Sequence, residues 1–178
     1  MTVRARFGAL LLSVGLLVGC GATTAPPPER QAHDVAILAR ALPTLESLKV
    51  TYFSAFTFDC SGFDYARGAF STDPESTNPN CHLMSRLDVA LDDQARADRA
   101  MVADLLNTEG LDISEARITY ASDESGRVKT ASFQFEAGTN GLWSYEYAPG
   151  ERLPTEPDAD RVVTPIDANW RVEWNDWN

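Results

Sequence analysis

Only two histidines and three cysteines occur in the 178 residues. His33 and His82 beside two free thiols are too few for a zinc set, and no C-x-x-C offers redox exchange. No G-x-S-x-G and no glycine-rich phosphate loop is present, so neither a hydrolase elbow nor a nucleotide cradle can be placed. Lysine is confined to Lys49 and Lys129, and 15 basic residues face 26 acidic ones, for a formal charge of −11. Such a chain repels a phosphate backbone, and its arginines are scattered singly, so nucleic acid is excluded as the expected partner. The remaining balance, 44% hydrophobic and 23% charged, is that of one globular domain and excludes collagen, a coiled-coil rod and a wholly disordered chain.

One apolar run stands out. Arg4 and Arg6 precede Phe7 to Val18, a stretch of 12 residues, too short for a hydrocarbon core that takes about 20 in a helix. The pattern is that of an export signal over residues 1–19. Leu17, Val18, Gly19 and Cys20 follow in order, and this tetrad resembles the lipobox of bacterial lipoproteins. The resemblance implies cleavage before Cys20 and acylation of its thiol, with the lipid bilayer as the first partner. Two or three acyl chains, at about 0.8 kcal/mol per buried methylene, anchor far more firmly than one. Gly21 stands where that family's inner-membrane retention signal has Asp. The resemblance therefore implies the outer membrane facing the periplasm in a two-membrane cell, and the outer face of the cell membrane otherwise.

Loss of Arg4 and Arg6 with the leader takes the net charge from −11 to −13. An acidic surface keeps the domain soluble, and it can steer a cationic protein partner. Residues 20–30, with Pro26, Pro27 and Pro28 in succession, read as an extended tether of roughly 30 Å. In an oxidising compartment, with Cys20 lipidated, Cys60 and Cys81 form an even pair and are expected to be a disulfide worth about 3 kcal/mol.

The domain itself is expected over 31–178. Val35, Leu38, Ala39 and Leu42 recur at helical spacing from Glu29 to Leu42, with Pro43 as the break. Val50–Phe58 reads as a covered strand, Ser61–Asn80 as a loop, and His82–Leu91 as a second strand. Asp92 or Asp93 caps a helix reaching Thr108, with Ala97, Met101, Val102, Leu105 and Leu106 inward. A meander follows: Ala116 to Tyr120, Val128 to Glu136, Trp143 to Tyr147 and Trp170 to Trp174, the last two separated by a Pro-rich acidic loop over 149–165. The expected fold is α+β, with two main helices on a curved antiparallel sheet of about five to six strands. That element order resembles NTF2-like and cystatin-like rolls, a layout that hosts enzymes and binding modules alike.

No catalytic residues, cofactor or metal ligands are assigned. Glu156, Asp158 and Asp160 alternate but lack the turn glycine and distal glutamate of a calcium loop. The candidate binding residues are Trp143, Tyr145 and Trp177, whose rings can anchor a ligand, with Asp158 and Asp160 as acidic contacts. Even spacing also allows Trp143, Tyr145, Tyr147, Trp170 and Trp174 to be a packed sheet face. The reading is an extracytoplasmic binding or accessory domain; an enzyme built in an NTF2-like cavity and a structural envelope component are the alternatives. Non-reducing peptide mapping is expected to join Cys60 to Cys81, and two freely alkylated thiols in oxidised protein would refute the bridge.

Overall fold

A computed structural model describes residues 25–55, 62–71, 92–123, 125–137, 141–152 and 160–176. The described elements are helix α1 (Pro28–Leu48), strands β1 (Tyr52–Ser54), β2 (Gly62–Tyr65) and β3 (Gly68–Ser71), and helix α2 (Asp93–Leu106). They are followed by β4 (Glu115–Tyr120), β5 (Val128–Ala137), β6 (Gly141–Tyr147), β7 (Arg161–Pro165) and β8 (Trp170–Asp176). The strands form one open antiparallel sheet in the order β3-β2-β1-β4-β5-β6-β8-β7. The α+β class therefore holds, with eight strands among the described residues in place of five or six.

The three unexpected strands, β2, β3 and β7, come from segments rich in loop formers. Within the expected loop over 61–80, Phe63 and Tyr65 are buried, and Gly68, at φ +124°, closes a two-residue turn that pairs β2 with β3. Inside the expected 149–165 loop, β-branched Val162, Val163 and Thr164 extend along β8. The strand expected at His82–Leu91 lies outside the described residues, as do 56–60 at the end of the first one.

Register fixes what the inner face buries. Phe63, Phe53, Ala116, Phe133, Tyr145 and Val172 are matched across β2, β1, β4, β5, β6 and β8, and none is more than 1% exposed. Phe135 also turns inward and stacks on Tyr145 with centroids 4.5 Å apart. The register slips between Gln134 and Glu136, a bulge that adds local twist where β5 bends.

Helix α1 covers this face with Val35, Ile37, Leu38, Ala41 and Leu45. It starts at Pro28, so the last three residues of the expected tether are helical; proline at the first turn has no N–H to lose and a preset φ. It also runs through Pro43, which does not break it. Leu38 and Ala41 before the proline and Leu45 after it are all buried, so packing holds the helix across the missing hydrogen bond.

Helix α2 begins where expected: the Asp92 carboxylate accepts from the Ala95 N–H at 2.7 Å and pairs with Arg67 at 2.6 Å. Its buried face differs. Ala95, Asp98, Val102 and Leu106 point inward, while Ala97 is exposed and Met101 is 42% exposed. The rotation is tolerated because Gln94 Nε2 donates to the buried Asp98 carboxylate at 2.7 Å, leaving the inward charge hydrogen-bonded. Arg99 lies 5.6 Å from the Phe53 ring centroid and donates to the Ser54 carbonyl at 3.3 Å.

Replacing Pro43 with Ala is expected to raise stability by about 1–3 kcal/mol, since an interior proline costs roughly that much. Urea unfolding reads the gain, and an unchanged midpoint would show that the helix is not continuous through residue 43.

Candidate functional site

The outer face of β5, β6, β8 and β7 carries the densest polar arrangement. Two registered rows cross it: Ser132, Glu146, Arg171 and Pro165, and beside them Gln134, Ser144, Glu173 and Val163. Alternation along each strand puts these residues opposite the apolar row of the inner face. Glu146 Oε1 accepts from Ser132 Oγ at 2.5 Å and from Ser144 Oγ at 2.7 Å. Glu173, 3% exposed, accepts from Arg161 Nε at 2.8 Å and Nη2 at 2.7 Å, and from Arg171 Nε at 2.5 Å. Arg171 Nη2 also lies 3.5 Å from Glu151.

The two carboxylates thus differ in character. Glu173 is matched by two guanidinium groups, the arrangement that keeps a buried charge tolerable. Glu146 is held by hydroxyls. Burial pushes its carboxyl above the usual range, outweighing the two serine hydrogen bonds that pull it down; Glu173 adds to the rise and Arg171 opposes it. The proton affinity of Glu146 is thereby raised, which favours the protonated form.

A half-open cavity of about 220 Å³ lies at the end of these strands, lined by Ala148, Glu151, Asp167, Asn169, Trp170 and Arg171 among others. Its polar groups are engaged in shaping two turns. Asp167 Oδ1 accepts from the N–H groups of Asn169 and Trp170 at 2.7 and 2.8 Å, and the Ala148 N–H donates to the Asn169 carbonyl at 2.9 Å. Glu151, with half its side chain exposed, is the open carboxylate of the rim.

On the inner face, Tyr145 is fully buried and donates to Asp34 Oδ2 at 2.8 Å. Burial raises the Tyr145 phenol, and the Asp34 hydrogen bond and charge raise it further. Asp34 also meets Arg30 at 3.4 Å and His33 Nδ1 at 3.3 Å, and His33 Nε2 lies 3.6 Å from Glu109, itself paired with Arg40. His33, for which the sequence offers no partner, thus stands between two carboxylates. An acid interrupting the apolar stripe of α1 was the available signal for Asp34, but its phenol partner lies 111 positions away.

Of the residues expected to bind, Trp143 is 4% exposed and Tyr145 is fully covered, so both rings belong to the core. Trp143 tilts against Trp174 with centroids 5.3 Å apart, and its buried indole N–H has no acceptor among the described residues. Asp160 is exposed at the start of β7, where its carbonyl accepts from the Asp176 N–H at 2.7 Å. Cys20, Cys60, Cys81, Asp158 and Trp177 lie outside the described residues. Among the described residues no group of three or more His, Cys, Asp or Glu is placed to hold a metal, and no helix is long and apolar enough to cross a membrane.

Comparison with protein-family models, with curated proteins and with solved structures finds no match to this chain.

Glu146→Gln tests the outer face. A carboxyl whose folded affinity for protons exceeds its unfolded affinity stabilises the fold at low pH. That contribution fades as pH rises from about 4.3, the unfolded value, through the higher folded one. The variant is therefore expected to remove a decline in stability above pH 4.3 and to be at least as stable as the parent at pH 7. An unaltered pH–stability profile would overturn the assignment.

Proposed function

We propose that this chain is a lipid-anchored envelope protein whose α+β domain works outside the cytoplasm by binding a cationic protein partner. The observation that carries the choice of binding over interior catalysis is the filled inner face. Phe53, Phe133 and Tyr145 from the sheet and Leu38, Leu45, Val102 and Leu106 from the helices are each fully buried in one cluster. An enzyme of the roll type needs a chamber with converging polar groups at that place. Here the buried polar groups beside the core are already bonded to one another, Asp34 to Tyr145 and Asp98 to Gln94, and the densest polar arrangement lies on the opposite, outer face.

The anchor and the charge support the same reading. Leu17 to Cys20 supply the lipidation tetrad, and a membrane tether raises the effective concentration of a binding module toward anything held at the same surface. A net charge of −11 before leader removal favours encounter with a basic partner and rejects an acidic one. The Cys60–Cys81 bridge belongs to this proposal, since it requires the oxidising side of the membrane.

Mass spectrometry of the protein from its native cells is expected to find an acylated Cys20 at the N-terminus, with Cys20→Ser leaving uncleaved or unanchored protein. Crosslinking in those cells is expected to yield a basic protein whose capture weakens as ionic strength rises. A soluble, unmodified wild-type chain would refute the anchor, and reproducible crosslinking only to acidic proteins, or to none, would refute the binding role.

A further inference from the structure

The sheet is open, and its last strand ends in a particular way. β7 pairs with β8 alone among the described strands. The register Val162↔Trp174, Val163↔Glu173 and Thr164↔Val172, with the Ile166 N–H donating to Trp170 O and the Asp176 N–H to Asp160 O, settles which backbone groups face which way. In an antiparallel ladder, closely and widely spaced pairs alternate. Residues 160, 162, 164 and 166 therefore bond inward to β8, and Val163 turns its N–H and C=O to the outer edge.

Edge strands are ordinarily guarded by charge, proline or a bulge. Pro165 guards one end of β7: it falls on an outward position, where its missing N–H takes nothing from the ladder. The centre has no such guard. Val162, Val163 and Thr164 are uncharged and β-branched, and Val162 is 50% exposed, one of two large apolar side chains so exposed among the described residues. The neighbouring charge of Arg161 is drawn back onto Glu173 by two hydrogen bonds. Val162 continues the inner-face row of Trp143 and Trp174, so an added strand would set an apolar residue beside it.

We infer that the outer edge of β7, which pairs with no second described strand, is a strand-addition site that receives an extended basic segment of a partner protein, its backbone bonding to Val163. This rests on the proposed binding role and gives it a place. Charge complementarity selects the occupant. The chain is at −11, which favours a basic segment, and a second copy of so acidic a chain would be repelled. Peptide capture by strand addition draws affinity from main-chain bonds and selectivity from alternate side chains. The site therefore takes a segment alternating basic and β-branched residues.

The test uses the chain from Cys20 onward with Cys20→Ser, and the acetylated, amidated peptide Lys-Val-Lys-Val-Lys-Val-Lys as probe. Titration is expected to slow hydrogen exchange of the Val163 amide at saturation, while Glu-Val-Glu-Val-Glu-Val-Glu has no effect. Val163→Pro removes the outward donor without touching the β8 ladder, and Val162→Lys sets a like charge against the probe. Each is expected to weaken binding about tenfold or more. Binding that is equal in both variants, or that leaves the Val163 amide unprotected, overturns the inference. A native basic partner that still crosslinks to Val163→Pro as to wild type removes this edge while the binding role stands. The absence of any basic partner removes the role itself.

Discussion

A sheet with one apolar face is stable only when that face is kept from water, and in this chain the task falls chiefly on α1. The helix is held by more than its leucines. At one end Tyr145 donates to the buried Asp34 carboxylate, and at the other Tyr120 donates to the carbonyls of Leu45 and Val50 at 3.0 and 2.8 Å. Burial and the nearby Glu46 push the Tyr120 phenol up to about 12, so it remains a donor throughout the physiological range. Lys49, in the left-handed conformation at the end of α1, reaches the Gly126 carbonyl and lies over the Tyr120 ring. Glu46 accepts from the Val128 N–H at 3.1 Å. Thus the end of α1, the β4–β5 turn and the start of β1 form one unit that sets the height of the helix above the sheet.

With α1 fixed, the polar chemistry is displaced to the other side. The strands that bury Phe133, Tyr145 and Val172 inward must, by their twofold alternation, present Ser132, Gln134, Ser144, Glu146, Arg171 and Glu173 outward. The outer network of hydroxyls, carboxylates and guanidinium groups follows from the same register that builds the core. A one-residue slip would exchange the two sets, which makes the mutual satisfaction of Glu173 by Arg161 and Arg171 a check on pairing as well as a source of local order.

Where the chain signals periodicity over many residues, sequence and structure agree. The Asp92 cap, the alternation of Ala116 and Ile118, and the shared face of Trp143, Tyr145, Trp170 and Val172 were all legible, because each rests on short-range pattern. Illegible were the features decided by contacts distant in sequence. Pro43 looked like a terminator until packing on both sides overruled it. Met101 and Ala97 looked inward because α2 is apolar there, whereas the partners of Asp98 and Arg99 turn the helix the other way. The β2–β3 hairpin and β7 were hidden by glycine, proline and acid-rich surroundings, which read as loop. For the candidate site, the acids were visible but not their inequality: only the fold tells Glu173, met by two arginines, from Glu146, met by two serines.

Proline at position 43 leaves the Ala39 carbonyl without its intrahelical donor, so the hydrogen-bond ladder of α1 has one open rung within a continuous helix. Asp34 lies before it and Leu45 after it, and each has its own tyrosine fastener. The two fasteners stand on either side of that rung, so a local loosening of the helix there leaves both of its ends pinned to the sheet.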